Sequence, residues 1–253
     1  MPRINDKLLD CVIYLYGSKD EAEAGINIGG SGFIISYPSS RGMSAGGFMY
    51  AVTNRHVIRT KCSTVRLNTT DGKNDVLEFS PESWTFSDTD DLAVRVLPGT
   101  ISDTVYRFRT VTQRMLLTRE IVTKYNIGVG DEVAMIGRFI NIEGKQRNIP
   151  TGRIGHIAQM PLEPIESEDM GVPYEQESFL ADIKSIGGYS GSPVFLDLEA
   201  GPFKQANWRV SVANASTPKD AGLYLLGIDR AHIRDWESIR GVDKKPLWAT
   251  KSS

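Results

Sequence analysis

Gly187-Gly188-Tyr189-Ser190-Gly191-Ser192-Pro193-Val194-Phe195 sets three glycines about one serine and runs at once into a strand-like apolar stretch. Glycine adopts backbone dihedrals that other residues avoid. Two main-chain N–H groups can therefore converge beside the Ser190 hydroxyl and cradle a developing oxyanion. Ser192 stands where a G-x-S-x-G elbow has its second glycine, and a strand rather than a helix follows, so that strand–turn–helix elbow is excluded. A glycine-rich turn that happens to carry a serine would look the same locally. What decides is whether a base and a carboxylate occur elsewhere in compatible settings.

Three histidines are available: His56, His156 and His232. His56 lies in Ala51-Val52-Thr53-Asn54-Arg55-His56-Val57-Ile58, where a polar triplet follows a strand and precedes two apolar residues. That pattern puts it at a strand end, at the start of a tight turn. His156 reads as an ordinary strand residue. Asp88, Asp90 and Asp91 precede Leu92-Ala93-Val94-Arg95-Val96-Leu97, whose Leu92, Val94 and Val96 share one face. Acidic residues at a strand entrance are usually solvated, but Asp91 abuts the strand itself. A buried carboxylate there needs a partner, and a histidine N–H supplies one. His56, Asp91 and Ser190 follow in that order along the chain.

Outward from these three stretches, the 253-residue chain reads as all-β. Short strands are expected at 11–16, 31–36, 50–53, 64–68, 75–79, 92–97, 132–137, 152–158, 179–183, 193–196, 208–213 and 223–228, punctuated by glycine and proline. Helical patterning is confined to 112–121 and 233–240. The strands fall into two groups, before about 98 and after about 131, which predicts one domain over 1–253 made of two antiparallel β-barrels. The N-terminal barrel takes 1–110 and the C-terminal barrel 131–253. Residues 158–178 carry six acids and no Lys or Arg, and read as a long acidic loop.

The charge balance excludes some classes of function. A net charge of −2 gives no basic surplus for nucleic acid or an anionic membrane, so neither is expected as a partner. Cys11 and Cys62 are the only cysteines, which excludes a disulfide scaffold and cysteine-rich zinc modules, and no H-E-x-x-H occurs. No metal and no cofactor is expected. The apolar run 11–16 ends too early for a secretory leader, so the expected location is cytoplasmic.

Taken in order, these stretches resemble the chymotrypsin/trypsin-like serine proteases, in particular the bacterial-type branch of HtrA-like and glutamyl-endopeptidase-like enzymes. Gly30-Ser31-Gly32-Phe33-Ile34 is similar to the G-S-G-F strand, Thr53-Asn54-Arg55-His56-Val57 to T-x-x-H-V, and Asp91-Leu92-Ala93-Val94 to D-[IL]-A-[VL]. Gly130-Asp131-Glu132-Val133-Ala134-Met135-Ile136-Gly137 resembles G-D-x-V-x-x-I-G, and Thr151-Gly152-Arg153-Ile154 resembles the next strand. Gly188-Tyr189-Ser190-Gly191-Ser192-Pro193-Val194 matches G-x-S-G-[GS]-P-[VL], and Leu226-Gly227-Ile228 the strand edging the substrate cleft. The chain order histidine, aspartate, serine is that of the same two-barrel architecture.

The resemblance implies two six-stranded barrels with a short C-terminal helix, and a serine endopeptidase acting on a protein or peptide substrate. Ser190 would be the nucleophile, His56 the base, Asp91 its orienting carboxylate, and Gly188 and Ser190 the oxyanion donors. Lys184, Asp229, Arg230 and His232 would line the substrate pocket. In HtrA-like relatives the loop at the place of 158–178 senses an activator, so an activator or regulatory partner is expected. Tyr189 stands where zymogens carry an aspartate that pairs with a trimmed N-terminus, so N-terminal trimming is not expected to activate the chain. Asn54 and Arg55 replace a small pair, and Arg55 brings a charge next to His56. The competing reading is a protease-fold module that binds peptides by strand addition without cutting them.

Overall fold

The computed structural model describes residues 4, 6–38, 47–139, 144–169, 172–183, 189–197, 222–230, 234–235 and 247–248. The fold is all-β, with two main antiparallel sheets and few helices. The first sheet runs in the order β5 (Asn74–Leu77), β4 (Thr64–Asn68), β1 (Val12–Tyr16), β2 (Ile28–Pro38), β3 (Gly47–Thr53), β7 (Ala93–Val96), β6 (Thr85–Phe86). A short β8 (Val111–Thr112) pairs with β2 in parallel. The second sheet runs β13 (Leu180–Ile183), β10 (Thr151–Gln159), β9 (Glu132–Gly137), β14 (Pro193–Asp197), β15 (Leu223–Ile228).

Two details differ from expectation. The sheets have eight and five strands and stay open among the described residues, where two six-stranded barrels, closed or nearly closed, were expected. Arg234–Asp235, inside the expected C-terminal helix, form a two-residue strand β16 paired with β17 (Leu247–Trp248), and the rest of 233–240 lies outside the described residues. The strand expected at 208–213 also lies outside them.

The apolar run at 12–16 is buried on both faces, which is why it shows no polar alternation. Successive side chains on a strand point to opposite sides. Ile13 and Leu15 enter the first sheet's own core with Ile34, Ala51, Val65 and Trp84. Val12, Tyr14 and Tyr16 enter a second cluster with Phe33, Val52, Ile136, Phe195 and Leu225, drawn from both sheets. β9 and β14 divide in the same way: Val133, Met135, Val194 and Leu196 face a third core, while Ile136 and Phe195 face the inter-sheet cluster. The two sheets therefore pack face to face across β1, β2, β9 and β14.

A polar seam runs beside that apolar layer. Arg66 on β4 is fully buried, donating from Nε to Asn148 Oδ1 at 2.7 Å and from its terminal nitrogens to the carbonyls of Ala22, Gly144 and Lys145. Its guanidinium lies over the rings of Tyr14 and Tyr16. Asn68 and Asn148 exchange two further side-chain–backbone bonds, at 3.0 and 2.7 Å.

The acidic stretch is not a loop. Ile165–Asp169 (β11) and Val172–Gln176 (β12) form a two-stranded antiparallel hairpin in which Ile165 pairs with Gln176 and Asp169 with Val172. Six acids hid the pattern, because strands with so few apolar residues show no clear alternation.

Candidate active site

β3 ends at Thr53, whose hydroxyl donates to the Ser31 carbonyl of β2 at 2.7 Å. The chain then turns into a one-turn helix, α3 (Arg55–Arg59), which carries His56; a tight turn after the strand was expected. The first N–H groups of a helix have no partner within it. Asn54, at the N-cap, leaves them uncapped by its own side chain. The carboxylate of Asp91 takes that place: His56 N–H donates to Asp91 Oδ1 at 2.9 Å, and His56 Nδ1 lies 2.6 Å from Asp91 Oδ2. With Nδ1–H donated to the carboxylate, Nε2 is the free, basic nitrogen of the ring. The Asp91 side chain is 3 % exposed and that of His56 34 %.

Asp91 is fixed at its own backbone too, because Asn54 Nδ2 donates to its carbonyl at 3.0 Å. Asp88 is exposed, and Asp90 turns its Oδ2 to the hydroxyls of Thr89 and Ser87. Of the three acids, Asp91 alone meets His56. Burial by itself would raise its pKa, but the hydrogen bonds from His56, the His56 charge and the nearby Arg230 hold it below the ordinary carboxylate value.

Ser190 sits on a turn braced from three sides. Ser31 N–H donates to the Ser190 carbonyl at 2.9 Å, Gly191 N–H to the Asp229 carbonyl at 2.9 Å, and Asp229 N–H to the Ser192 carbonyl at 2.8 Å. Gly191 has φ +88°, and a Cβ there would strike the Ser31 carbonyl and Thr53 Oγ1. Gly30 is required for the same close approach: its Cβ would lie 2.9 Å from the Val57 methyls and 3.2 Å from the Ser190 carbonyl. The G-S-G stretch is thus the platform on which the serine turn rests. Tyr189 is the third brace. It is buried, and its hydroxyl accepts from Arg153 Nε at 2.7 Å and stands 3.0 Å from Thr151 Oγ1.

The Ser190 hydroxyl donates to the Arg230 carbonyl at 3.3 Å, and no hydrogen bond joins it to the His56 ring among the described residues. Arg230 also lies near the carboxylate, with Nε 3.6 Å from Asp91 Oδ2. Its guanidinium lies over the ring of Tyr174, 5.1 Å from the centroid, and that of Arg55 lies over the same ring at 5.4 Å. Arg55 is buried and donates to the Ser87 carbonyl at 3.0 Å, so its charge is turned from His56 toward the hairpin. Asp229, expected in the pocket, is joined through its backbone to Gly191 and Ser192 of the serine turn, and burial pushes its pKa up to about 6 against the opposing pull of His56. Gly188, Lys184 and His232 lie outside the described residues. His156 is exposed on β10.

Sequence reasoning missed Asn54, Tyr174 and the link from Arg230 to Asp91. An aromatic residue inside an otherwise acidic, proline-bearing stretch was the available signal for Tyr174. Both thiols are free: burial raises Cys11 to about 12 and also raises Cys62. Among the described residues, no group of three or more His, Cys, Asp or Glu could hold a metal, and no helix is long and apolar enough to cross a membrane.

No family model and no curated protein matches the chain. Among solved structures it is similar to the tobacco etch virus protease. A mutant of that protease aligns at 13 % identity over 77 % of this chain and 66 % of the other, with a TM-score of 0.42. The active form with product gives 12 %, 77 %, 66 % and 0.40, and the inactive form with substrate 12 %, 76 %, 69 % and 0.35. The chain therefore spans about two thirds of the length of the first two.

Proposed function

We propose that this chain is a serine endopeptidase. The observation that carries the reading is the double hydrogen bond from His56 to the buried Asp91, beside a serine on a turn whose Gly191 has φ +88°. Ser190 Oγ would attack the scissile carbonyl while His56 Nε2 takes its proton. The resulting imidazolium is stabilised by Asp91 and returns the proton to the leaving amine; water then releases the acyl group by the same steps. The N–H groups of Gly188 and Ser190 would hold the oxyanion. Before attack the Ser190 hydroxyl has to rotate from the Arg230 carbonyl toward His56, so the arrangement described is a resting one, in keeping with a regulated enzyme.

That same bond from Ser190 to Arg230 favours a second reading, a module that binds peptides without cutting them. A fluorophosphonate probe separates the two, because only an activated serine reacts. Labelling of the wild type and none of Ser190→Ala or His56→Ala is expected. Absence of labelling, with peptide binding retained, would overturn the endopeptidase reading.

A further inference from the structure

We infer that Tyr174 of the acidic hairpin is a positioning residue, which holds the Arg230 guanidinium against Asp91 and thereby sets the proton affinity of His56. The inference rests on the reading of His56, Asp91 and Ser190 as a triad. Three contacts carry it. The Tyr174 ring lies under the guanidinium groups of Arg55 and Arg230, at 5.4 and 5.1 Å. Arg230 Nε lies 3.6 Å from Asp91 Oδ2, the oxygen that also faces His56 Nδ1 at 2.6 Å. The Arg230 carbonyl accepts the Ser190 hydroxyl. One residue thus touches both ends of the triad, and its side chain rests on an aromatic face supplied by the hairpin.

The electrostatic consequence follows from the sharing of one carboxylate. A cation beside Asp91 neutralises part of the charge that would stabilise the protonated ring, so it lowers the proton affinity of His56. An aromatic face attracts a guanidinium through its quadrupole and fixes its plane, which long arginine side chains otherwise leave free. Arg55, held by the Ser87 carbonyl and its place on α3, is the fixed side of this stack, and Arg230 the side that faces the chemistry. Among the described residues, the charged or titratable groups around His56 are Asp91 at the entrance of β7, Asp229 and Arg230 after β15, and Arg55 on its own helix. The hairpin contributes the neutral Tyr174. Displacing the hairpin would release Arg230 from Asp91 without touching any triad residue.

The test is an NMR titration of the His56 ring in the full chain labelled at histidine, assigned by its absence from His56→Gln. Arg230→Gln should raise its proton affinity about three- to tenfold, an upward move of about half to one pH unit. Tyr174→Leu should move it the same way, Tyr174→Phe should restore the wild-type value to within about twofold, and Tyr174→Leu with Arg230→Gln should add nothing beyond Arg230→Gln. The acid limb of the hydrolysis rate against pH should follow the same order. An unchanged titration in Tyr174→Leu, or in Arg230→Gln should Tyr174→Leu not fold, would overturn the inference, as would a Phe variant that moves as far as Leu. Failure of the triad reading is a separate result: the wild type would not take a fluorophosphonate, whatever the titration shows.

Discussion

His56 donates two hydrogen bonds to Asp91, one from its backbone N–H at 2.9 Å and one from ring Nδ1 at 2.6 Å. One carboxylate therefore caps the helix and orients the imidazole at once. A change at Asp91 disturbs the start of α3 as well as the ring, whereas changes at its acidic neighbours disturb neither.

Asp91→Asn should lower kcat by about three to four orders of magnitude, because an amide favours the wrong imidazole tautomer. Asp90→Asn and Asp88→Asn should stay within about threefold of wild type, since neither side chain touches His56 and surface changes cost little. Steady-state hydrolysis of a peptide ester by the three variants checks this. A loss in Asp90→Asn equal to that in Asp91→Asn would reassign the carboxylate.

Gly191→Ala should remove fluorophosphonate labelling. The new methyl meets the Ser31 carbonyl and Thr53 Oγ1, and φ +88° is strained for any side chain. Gly72, also at positive φ but in open space, is the control: Gly72→Ala should cost only about 1–2 kcal/mol of stability and leave labelling intact.

Asp229 makes stability depend on pH in an unusual direction. Its folded pKa of about 6 lies above the ordinary 3.8. The fold favours the neutral acid, so this contribution is whole below about pH 4 and is lost as pH rises to about 6, by about 3 kcal/mol. Asp91 works the other way: its depressed pKa gives stability above the ordinary carboxylate value that disappears as pH falls through the folded value. Urea unfolding of Asp229→Asn from pH 4 to 7 should lack the decline that the wild type shows. A parallel pair of curves would refute the assignment.

Thiol reagents should leave activity untouched. Cys11 is buried with its pKa near 12, and the Cys62 thiol is raised as well, so neither is a thiolate at neutral pH. Fluorophosphonate labelling after treatment with iodoacetamide at pH 7.5 should remain within about twofold of the untreated chain. Loss in step with alkylation would point to a cysteine in the chemistry.

The all-β fold was legible because short apolar runs are set apart by glycine and proline, with Val12–Tyr16 apolar throughout; in 92–97 the alternation misled, since Ala93 and Leu97 are the buried residues and Val96 is exposed. Of the site, His56 and Asp91 could be read because a polar residue at a strand end is conspicuous there. Asn54, Tyr174 and Arg230 could not, because their roles arise from contacts across 37, 56 and 139 positions of the chain. The hairpin at 165–176 was missed for a related reason: its pairing is in the backbone and leaves little trace in side-chain hydrophobicity.

Arg66, Asn68 and Asn148 tie the first sheet to the turn between β9 and β10 through partners that are backbone carbonyls or amides rather than charges. Such a seam is barely screened by salt. A chain nicked between β8 and β9 would keep its halves together as one particle even in concentrated salt, whereas each half made alone would expose a polar lock with no keyway.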